Sequence, residues 1–183
     1  MAMESSRYHG FVITLHWIMA LAFFFMLGSG FLMEDLEQDL KMKVFQWHKA
    51  MGILLLVAFF LRIAARFAFK IPALPDTLID WEKMAAKAGH LGLYLLMLLM
   101  PLSGWIMVSS SSRGSPISIF GLFDWPAFPG IKGQEDLHEV AEEAHEFLAI
   151  ALAALIVIHI AAVIKHAVID KENLLPRMSW RKG

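Results

Sequence analysis

Four stretches of about 20 apolar residues, separated by short polar segments, take up nearly all of this 183-residue chain. A run of that length crosses a hydrocarbon layer of about 30 Å when wound as a helix, and the helix satisfies its own backbone polar groups where no water can. The chain therefore reads as an all-α integral membrane protein, a four-helix bundle in one domain over residues 1–183, with helices at about 11–33, 44–69, 85–108 and 137–168. Composition points the same way, with 58% hydrophobic and 18% charged residues and a mean hydropathy of +0.58. No length is left for a separate soluble catalytic domain. Membrane lipids are the expected surroundings, and with a formal net charge of -1 no nucleic-acid partner is expected. There is no cysteine, so disulfides, thiolate ligation and iron–sulfur clusters held by this chain are excluded.

The first run, Phe11 to Met33, has no charged residue and follows Arg7. It is longer than the apolar part of a secretory signal and lacks a small-residue cleavage site, so it is read as a retained helix. The second carries Lys49 near one end and Arg62 and Arg66 near the other, where long basic side chains reach the interface. The third contains Pro101 and Gly104, and the fourth begins amphipathically near Leu137. An even number of spans puts both termini on one side. Eleven of the 16 Lys and Arg residues fall on that side, including Lys165, Lys171, Arg177, Arg181 and Lys182, so both termini are expected in the cytoplasm. The opposite face is net acidic. Its longest loop, about 109–134, is rich in Ser, Gly and Pro with aromatics between them, and is expected to form an irregular lid over the helix ends rather than a strand pair.

Within the apolar runs lie His16, His48, His145 and His159. Ionisable side chains at membrane depth are costly, roughly 2.5–3.5 kcal/mol for charged types on insertion scales, so several together call for a ligand that repays them. His16 lies on a helix entering from the cytoplasm and His48 on one entering from outside, so they belong to opposite leaflets. His145 and His159 are 14 residues apart on the fourth helix; at ~100° and ~1.5 Å per residue they face within about 40° of each other, roughly 21 Å apart along the axis. One helix thus offers a nitrogen to each leaflet. His48 with His145 can hold an outer haem and His16 with His159 an inner one. Two protein nitrogens on each iron favour electron transfer over oxygen binding.

A polar seam of histidines packed between helices is the plain alternative. His90 sits at a depth similar to His16 and His159, so three rings compete for two inner positions. His9 reads as interfacial, His138 as solvated, and His166 as a helix-end contact.

The motifs Leu15-His16-Trp17-Ile18, Trp47-His48-Lys49-Ala50-Met51-Gly52 with Arg62 and Arg66, Gly89-His90-Leu91 with Tyr94 and Pro101-Leu102-Ser103-Gly104, and Glu143-Ala144-His145-Glu146 with His159 and Lys165-His166 resemble the bacterial cytochrome b561 family. The likeness runs over essentially the whole chain. It implies a multi-pass cytochrome of the bacterial inner membrane with two haem b groups, exchanging electrons with ubiquinone or another quinone. It also implies His16, His48, His145 and His159 as ligands to haem iron, with His90 beside the inner haem but not bound to it. Some members oxidise superoxide, which makes a quinone-linked oxidoreductase the sharpest activity; no catalytic residue is singled out.

Haem propionates need basic partners near the interfaces, for which Arg62, Arg66 and Lys87 are candidates inside and Lys49 and Arg113 outside. A quinone head needs groups that donate hydrogen bonds and protons, for which His90, His166 and Lys165 are candidates, with Trp17 as an aromatic wall. The acidic outer face opposes superoxide globally and suits a basic periplasmic redox partner instead. Two further readings are a haem-bearing membrane anchor for a larger dehydrogenase or hydrogenase, and a divalent-metal transporter; the acidic residues avoid the apolar cores, which disfavours the transporter.

Overall fold

The computed structural model describes residues 7–114 and 116–180. It contains helices α1 (Gly10–Leu32), α2 (Gln38–Ala68), α3 (Asp80–Ser110) and α4 (Glu135–Val168), each long and apolar enough to cross a membrane. At about 1.5 Å per residue the 23 residues of α1 span about 35 Å and the 34 of α4 about 51 Å. Helices α2 and α3 begin six and five residues earlier than the apolar pattern suggests. Apolar runs report hydrocarbon thickness, whereas the helix continues into water wherever its first turn is satisfied. In α2 the Lys41 N–H donates to the Glu37 carbonyl at 2.8 Å, and before α3 the Glu82 carboxylate accepts from the Ile79 N–H at 3.3 Å.

Consecutive helices pack on one another, α1 on α2, α2 on α3 and α3 on α4. The outward faces stay apolar: Leu21, Phe24, Phe25, Phe60, Leu91, Ile150 and Val157 are all exposed, as a surface facing lipid requires. The interior is correspondingly small. Its centre is Met19, Phe23, Leu55, Phe59 and Leu152, with Tyr94 and Met97 packed around them. Leu152 is 1% exposed and sits seven residues from both His145 and His159, so this apolar layer separates the two ends of the bundle.

The described chain ends meet on the same side. The Tyr8 N–H donates to the Arg177 carbonyl at 3.1 Å, the Trp17 indole N–H to the Met178 carbonyl at 2.8 Å, and the Trp180 indole N–H to Thr14 Oγ1 at 3.0 Å. A short 3-10 helix, Leu175–Met178, turns the chain back for these contacts. Arg181 and Lys182, counted above among the basic residues, lie outside the described residues.

The loop between α3 and α4 corrects one expectation. Instead of a wholly irregular lid, it contains an antiparallel ribbon of β1 (Ile117–Ile119) and β2 (Phe123–Trp125), in register Ile117 to Trp125 and Ile119 to Phe123. The cause is the turn Ile119 to Leu122, closed by the Leu122 N–H on the Ile119 carbonyl at 3.0 Å, with φ of 52° at Phe120 and 77° at Gly121. Two positive φ values make the mirror-image turn whose twist matches a hairpin. Gly121 adopts it freely; Phe120 is held there by its ring, which meets Trp47 edge-on at 4.9 Å. Alternation does the rest, burying Ile117 and Ile119 against Ala50 and Ile53 of α2. The ribbon and the segment after it cap the helix ends as a lid should: Trp105 donates to the Pro126 carbonyl at 3.1 Å, and the Gly133 N–H donates to the Ser110 carbonyl at 2.7 Å.

The absence of native cysteine makes the orientation easy to test. A cysteine at Leu122, exposed at the ribbon, is expected to react with a membrane-impermeant maleimide in intact cells, whereas one at exposed Ile169 reacts only after lysis. The opposite pattern would invert the bundle.

Candidate functional site

At the ribbon end of the bundle, α2 brings His48 and α4 brings His145 face to face, ring centroids 6.3 Å apart and ring planes at 70°. Each ring has its Nδ1 atom on a serine of a neighbouring helix. Ser29 of α1 lies 2.9 Å from His48 Nδ1, and Ser103 of α3 lies 3.0 Å from His145 Nδ1. The single proton of each hydroxyl is already spent, since Ser29 donates to the Met26 carbonyl at 3.0 Å and Ser103 to the Met100 carbonyl at 2.8 Å. The serine oxygens therefore accept from Nδ1–H. Both imidazoles are left with a bare Nε2 lone pair.

Between the rings is a cavity of about 350 Å³, within the range of small-ligand sites. Its walls are mostly apolar, including Phe23, Met26, Phe31, Trp105, Val108 and Ile117, with Lys49 and Glu146 at the polar edge. Lys49 is buried, its ammonium 4.9 Å from the Phe45 ring centroid and 3.4 Å from the Pro116 carbonyl. Two glycines let the rings lie close to backbone. A Cβ at Gly104 would meet His145 Cε1 at 2.9 Å, and one at Gly30 would meet His48 Cε1 at 3.5 Å. An iron held by two imidazoles sets ring centres about 6 Å apart, two metal–nitrogen bonds of about 2 Å plus two ring radii. The donor set, its spacing and the apolar walls fit haem.

At the opposite end, His16 of α1, His90 of α3 and His159 of α4 converge. His90 and His159 have ring centroids 5.8 Å apart, and His16 is within electrostatic reach of both. Arg62 points in among them, its Nη2 atom 3.3 Å from His16 Nδ1. The guanidinium carbons of Arg62 and Arg66 lie 5.7 and 5.5 Å from the Tyr94 ring centroid. The Nε and Nη1 atoms of Arg62 are buried without a hydrogen-bond partner. Unmet donors on a buried cation are costly and suit an anionic group such as a propionate. As a residue His90 is exposed, whereas His16 and His159 are half-buried.

The remaining candidates are distributed differently. The Trp17 indole N–H is committed to Met178, and its ring lies edge-on to His16 at 5.3 Å. Lys165 makes ion pairs with Glu82 and with Asp170, the latter at 2.8 Å, and His166 Nδ1 is 2.7 Å from the same Asp170 carboxylate. These two are thereby tied into an ion-pair network joining α3, α4 and the chain after α4. Arg113 is exposed in the outer loop and does not line the cavity, and Lys87 is exposed on α3. His138 is not free in solvent as expected; its Nδ1 atom is 2.8 Å from the Met107 carbonyl, joining α4 to α3. His9 accepts the Phe11 N–H at 3.3 Å and stacks on Phe69 at 3.9 Å, an interfacial cap on α1. Sequence reasoning missed the roles of Ser29, Ser103 and Gly30, whose signal is a Ser-Gly pair occurring once on α1 and once on α3.

Residues 7–181 match the family model described as prokaryotic cytochrome b561. The chain belongs to that family. It is 33% identical over 174 residues to cytochrome b561 homolog 2 of Escherichia coli K12, covering 94% of this chain and 90% of that protein. It is also 25% identical over 181 residues to cytochrome b561 homolog 1 of the same organism, covering 97% and 99%. The protein is accordingly a multi-pass bacterial membrane cytochrome that carries electrons across the membrane with haem. The two histidine clusters are where this cytochrome can hold it.

Two outcomes follow. Gly104→Val places branched atoms where His145 now lies, and is expected to lower haem content at the ribbon end while leaving the opposite end loaded, read from the haem-to-protein ratio and the visible spectrum. The Lys165 ammonium, with a smaller contribution from His166, holds Asp170 below the usual carboxylate range. A depressed carboxylate contributes stability that is complete above its unfolded value of about 3.9 and is lost as pH falls through its folded value. Melting of the α4 end, followed by hydrogen exchange at Asp170 to Leu175, is expected to begin below about pH 4 in the wild type. In Asp170→Asn that dependence disappears.

Proposed function

We propose that this cytochrome passes electrons across the bacterial inner membrane through two b haems and exchanges them with the quinone pool. His48 and His145 are the ligands of the outer haem, and His16 and His159 those of the inner one. The observation carrying the reading is the His48–His145 pair, ring centroids 6.3 Å apart with both Nδ1 atoms beside a serine hydroxyl, which leaves Nε2 as the nitrogen for a metal. Bound there, haem would be held by His48 and His145 and would supply a one-electron carrier.

The residues around each pair have separable tasks. Arg62 and Arg66 neutralise propionates inside, and Lys49 does so outside. Lys49, at the edge of the outer cavity, also offers a local positive charge that favours superoxide as donor despite the acidic face around it. A basic periplasmic redox protein would instead use that acidic face. On the cytoplasmic side, open His90 meets the quinone head, while Lys165 and His166, joined to Asp170, relay protons from water.

A second inner pairing is favoured by the 5.8 Å between His90 and His159, which is itself close to a bis-imidazole spacing. Alanine variants separate the two. The purified protein is expected to carry two b-type haems per chain in a reduced-minus-oxidised spectrum. His48→Ala and His145→Ala remove the outer one, His16→Ala and His159→Ala the inner one, and His90→Ala keeps both while slowing quinone reduction by at least about tenfold. Loss of a haem in His90→Ala with retention in His16→Ala would assign the inner pair to His90 and His159. A single haem per chain would overturn the two-haem proposal.

A further inference from the structure

The outer histidines have the same second partner twice. Ser29-Gly30 on α1 serves His48 of α2, and Ser103-Gly104 on α3 serves His145 of α4. We infer that these two Ser-Gly dipeptides are positioning residues for the outer haem: each serine fixes the tautomer of its imidazole and raises the donor strength of its Nε2 atom, and on α3 Gly104 also lets the ring lie against bare backbone where a Cβ would clash. The inference rests on the assignment of His48 and His145 as haem ligands.

Several observations separate this from ordinary helix chemistry. A serine in a membrane helix commonly donates back to a carbonyl of the preceding turn, as both do here, and that bond alone satisfies its proton. It gives no reason for a ring nitrogen to lie 2.9 or 3.0 Å from the same oxygen. Nor is every nearby glycine involved: a Cβ at Gly28, one residue before Ser29, would meet nothing within 4 Å, whereas Gly30 and Gly104 both face a histidine Cε1. The relay carbonyl, hydroxyl, imidazole can run in one direction only, because the carbonyl has no proton to give. The inner cluster has no such relay in the described contacts. There His16 Nδ1 lies 3.3 Å from Nη2 of the Arg62 guanidinium rather than beside a serine.

A hydrogen bond given by Nδ1 leaves more electron density on Nε2, which strengthens its bond to the oxidised metal. The serines should therefore hold the outer couple at a lower potential than it would have without them. Losing one is expected to raise that potential and weaken outer haem retention while the inner couple stays where it is.

The test uses haem-loaded protein in nanodiscs, with Ser29→Ala, Ser103→Ala, Ser29→Thr and Ser103→Thr, read by spectroelectrochemical titration and by haem loss to a haem-scavenging apoprotein. Each alanine variant is expected to favour the reduced outer haem by about tenfold, equivalent to about 59 mV for a one-electron couple, and to release it faster. The threonine variants, which keep the hydroxyl, are expected to stay near wild type. An outer couple unmoved in both alanine variants would overturn the inference, as would equal shifts in alanine and threonine variants or equal shifts of both couples. If alanine variants lose the outer haem altogether, retention in the threonine variants supports the relay and loss in them overturns it. His145→Ala provides the control: retention of both haems in that variant would reject the ligand assignment itself, independently of the serines.

Discussion

A neutral imidazole carries one N–H and one lone pair, and inside hydrocarbon each must be met by the protein or by a ligand. Much of this bundle follows from that demand. His48 and His145 discharge their N–H groups onto Ser29 and Ser103, which places α1 beside α2 and α3 beside α4 at that depth. The remaining ring nitrogens are then left for a ligand in the cavity that both rings line. A metal held between these rings would meet both acceptors, so haem bound there would serve the packing of the bundle as well as electron transfer.

The four spans, their order and the depths of the histidines were legible in the sequence because each depends on a single long-range variable, the hydrocarbon thickness, which apolar runs report directly. Two things were not. The strand pair depends on Phe120 entering a left-handed conformation, which residue preferences disfavour and which only the Trp47 contact and the burial of Ile117 and Ile119 make worthwhile. The inner ligand pair depends on the rotation of α1 and α3 about their axes, and near-uniform hydrophobicity around each helix carries little record of rotation. His16, His90 and His159 could be placed at one depth, but not ordered around the site. Trp17, Lys165 and His166 show a related limit. Their types suited a quinone site, yet the chain after α4 supplies them with Met178 and Asp170 as partners, and short polar tails give no pattern from which to foresee such contacts.

The two ends of the bundle are unlike in their electrostatics. The outer rings meet hydroxyl oxygens, which are electron-rich and uncharged. At the inner cluster His16 meets Arg62, two of whose buried nitrogens have no hydrogen-bond partner, with Arg66 nearby over Tyr94. A reduced haem carries one more negative charge than an oxidised one, so nearby cations favour reduction and a ring made electron-rich by its hydrogen bond opposes it. Were haem held at both ends, both effects would act in the same sense, giving a lower potential at the ribbon end and a higher one where the termini meet. Electrons entering at the outer face would move downhill across the Leu152 layer.

The outer ribbon matters to that flow for a mechanical reason. Ile117 is both a member of the cluster with Ala50 and Ile53 and a wall of the cavity between His48 and His145. Ala50 and Ile53 lie within two turns of His48 on the same helix, so the lid is packed directly against the segment that holds the ligand. Its other anchors, Trp105 on the Pro126 carbonyl and Ser109 accepting the Phe128 N–H at 3.0 Å, fall on the last turns of α3, just beyond Ser103 and Gly104. The ribbon segment is therefore fixed at several points to α2, which carries His48, and to α3, which carries Ser103 and Gly104. A loop built only to connect α3 with α4 would need none of these contacts, and their concentration around the cavity gives the lid a part in excluding water from the space between His48 and His145.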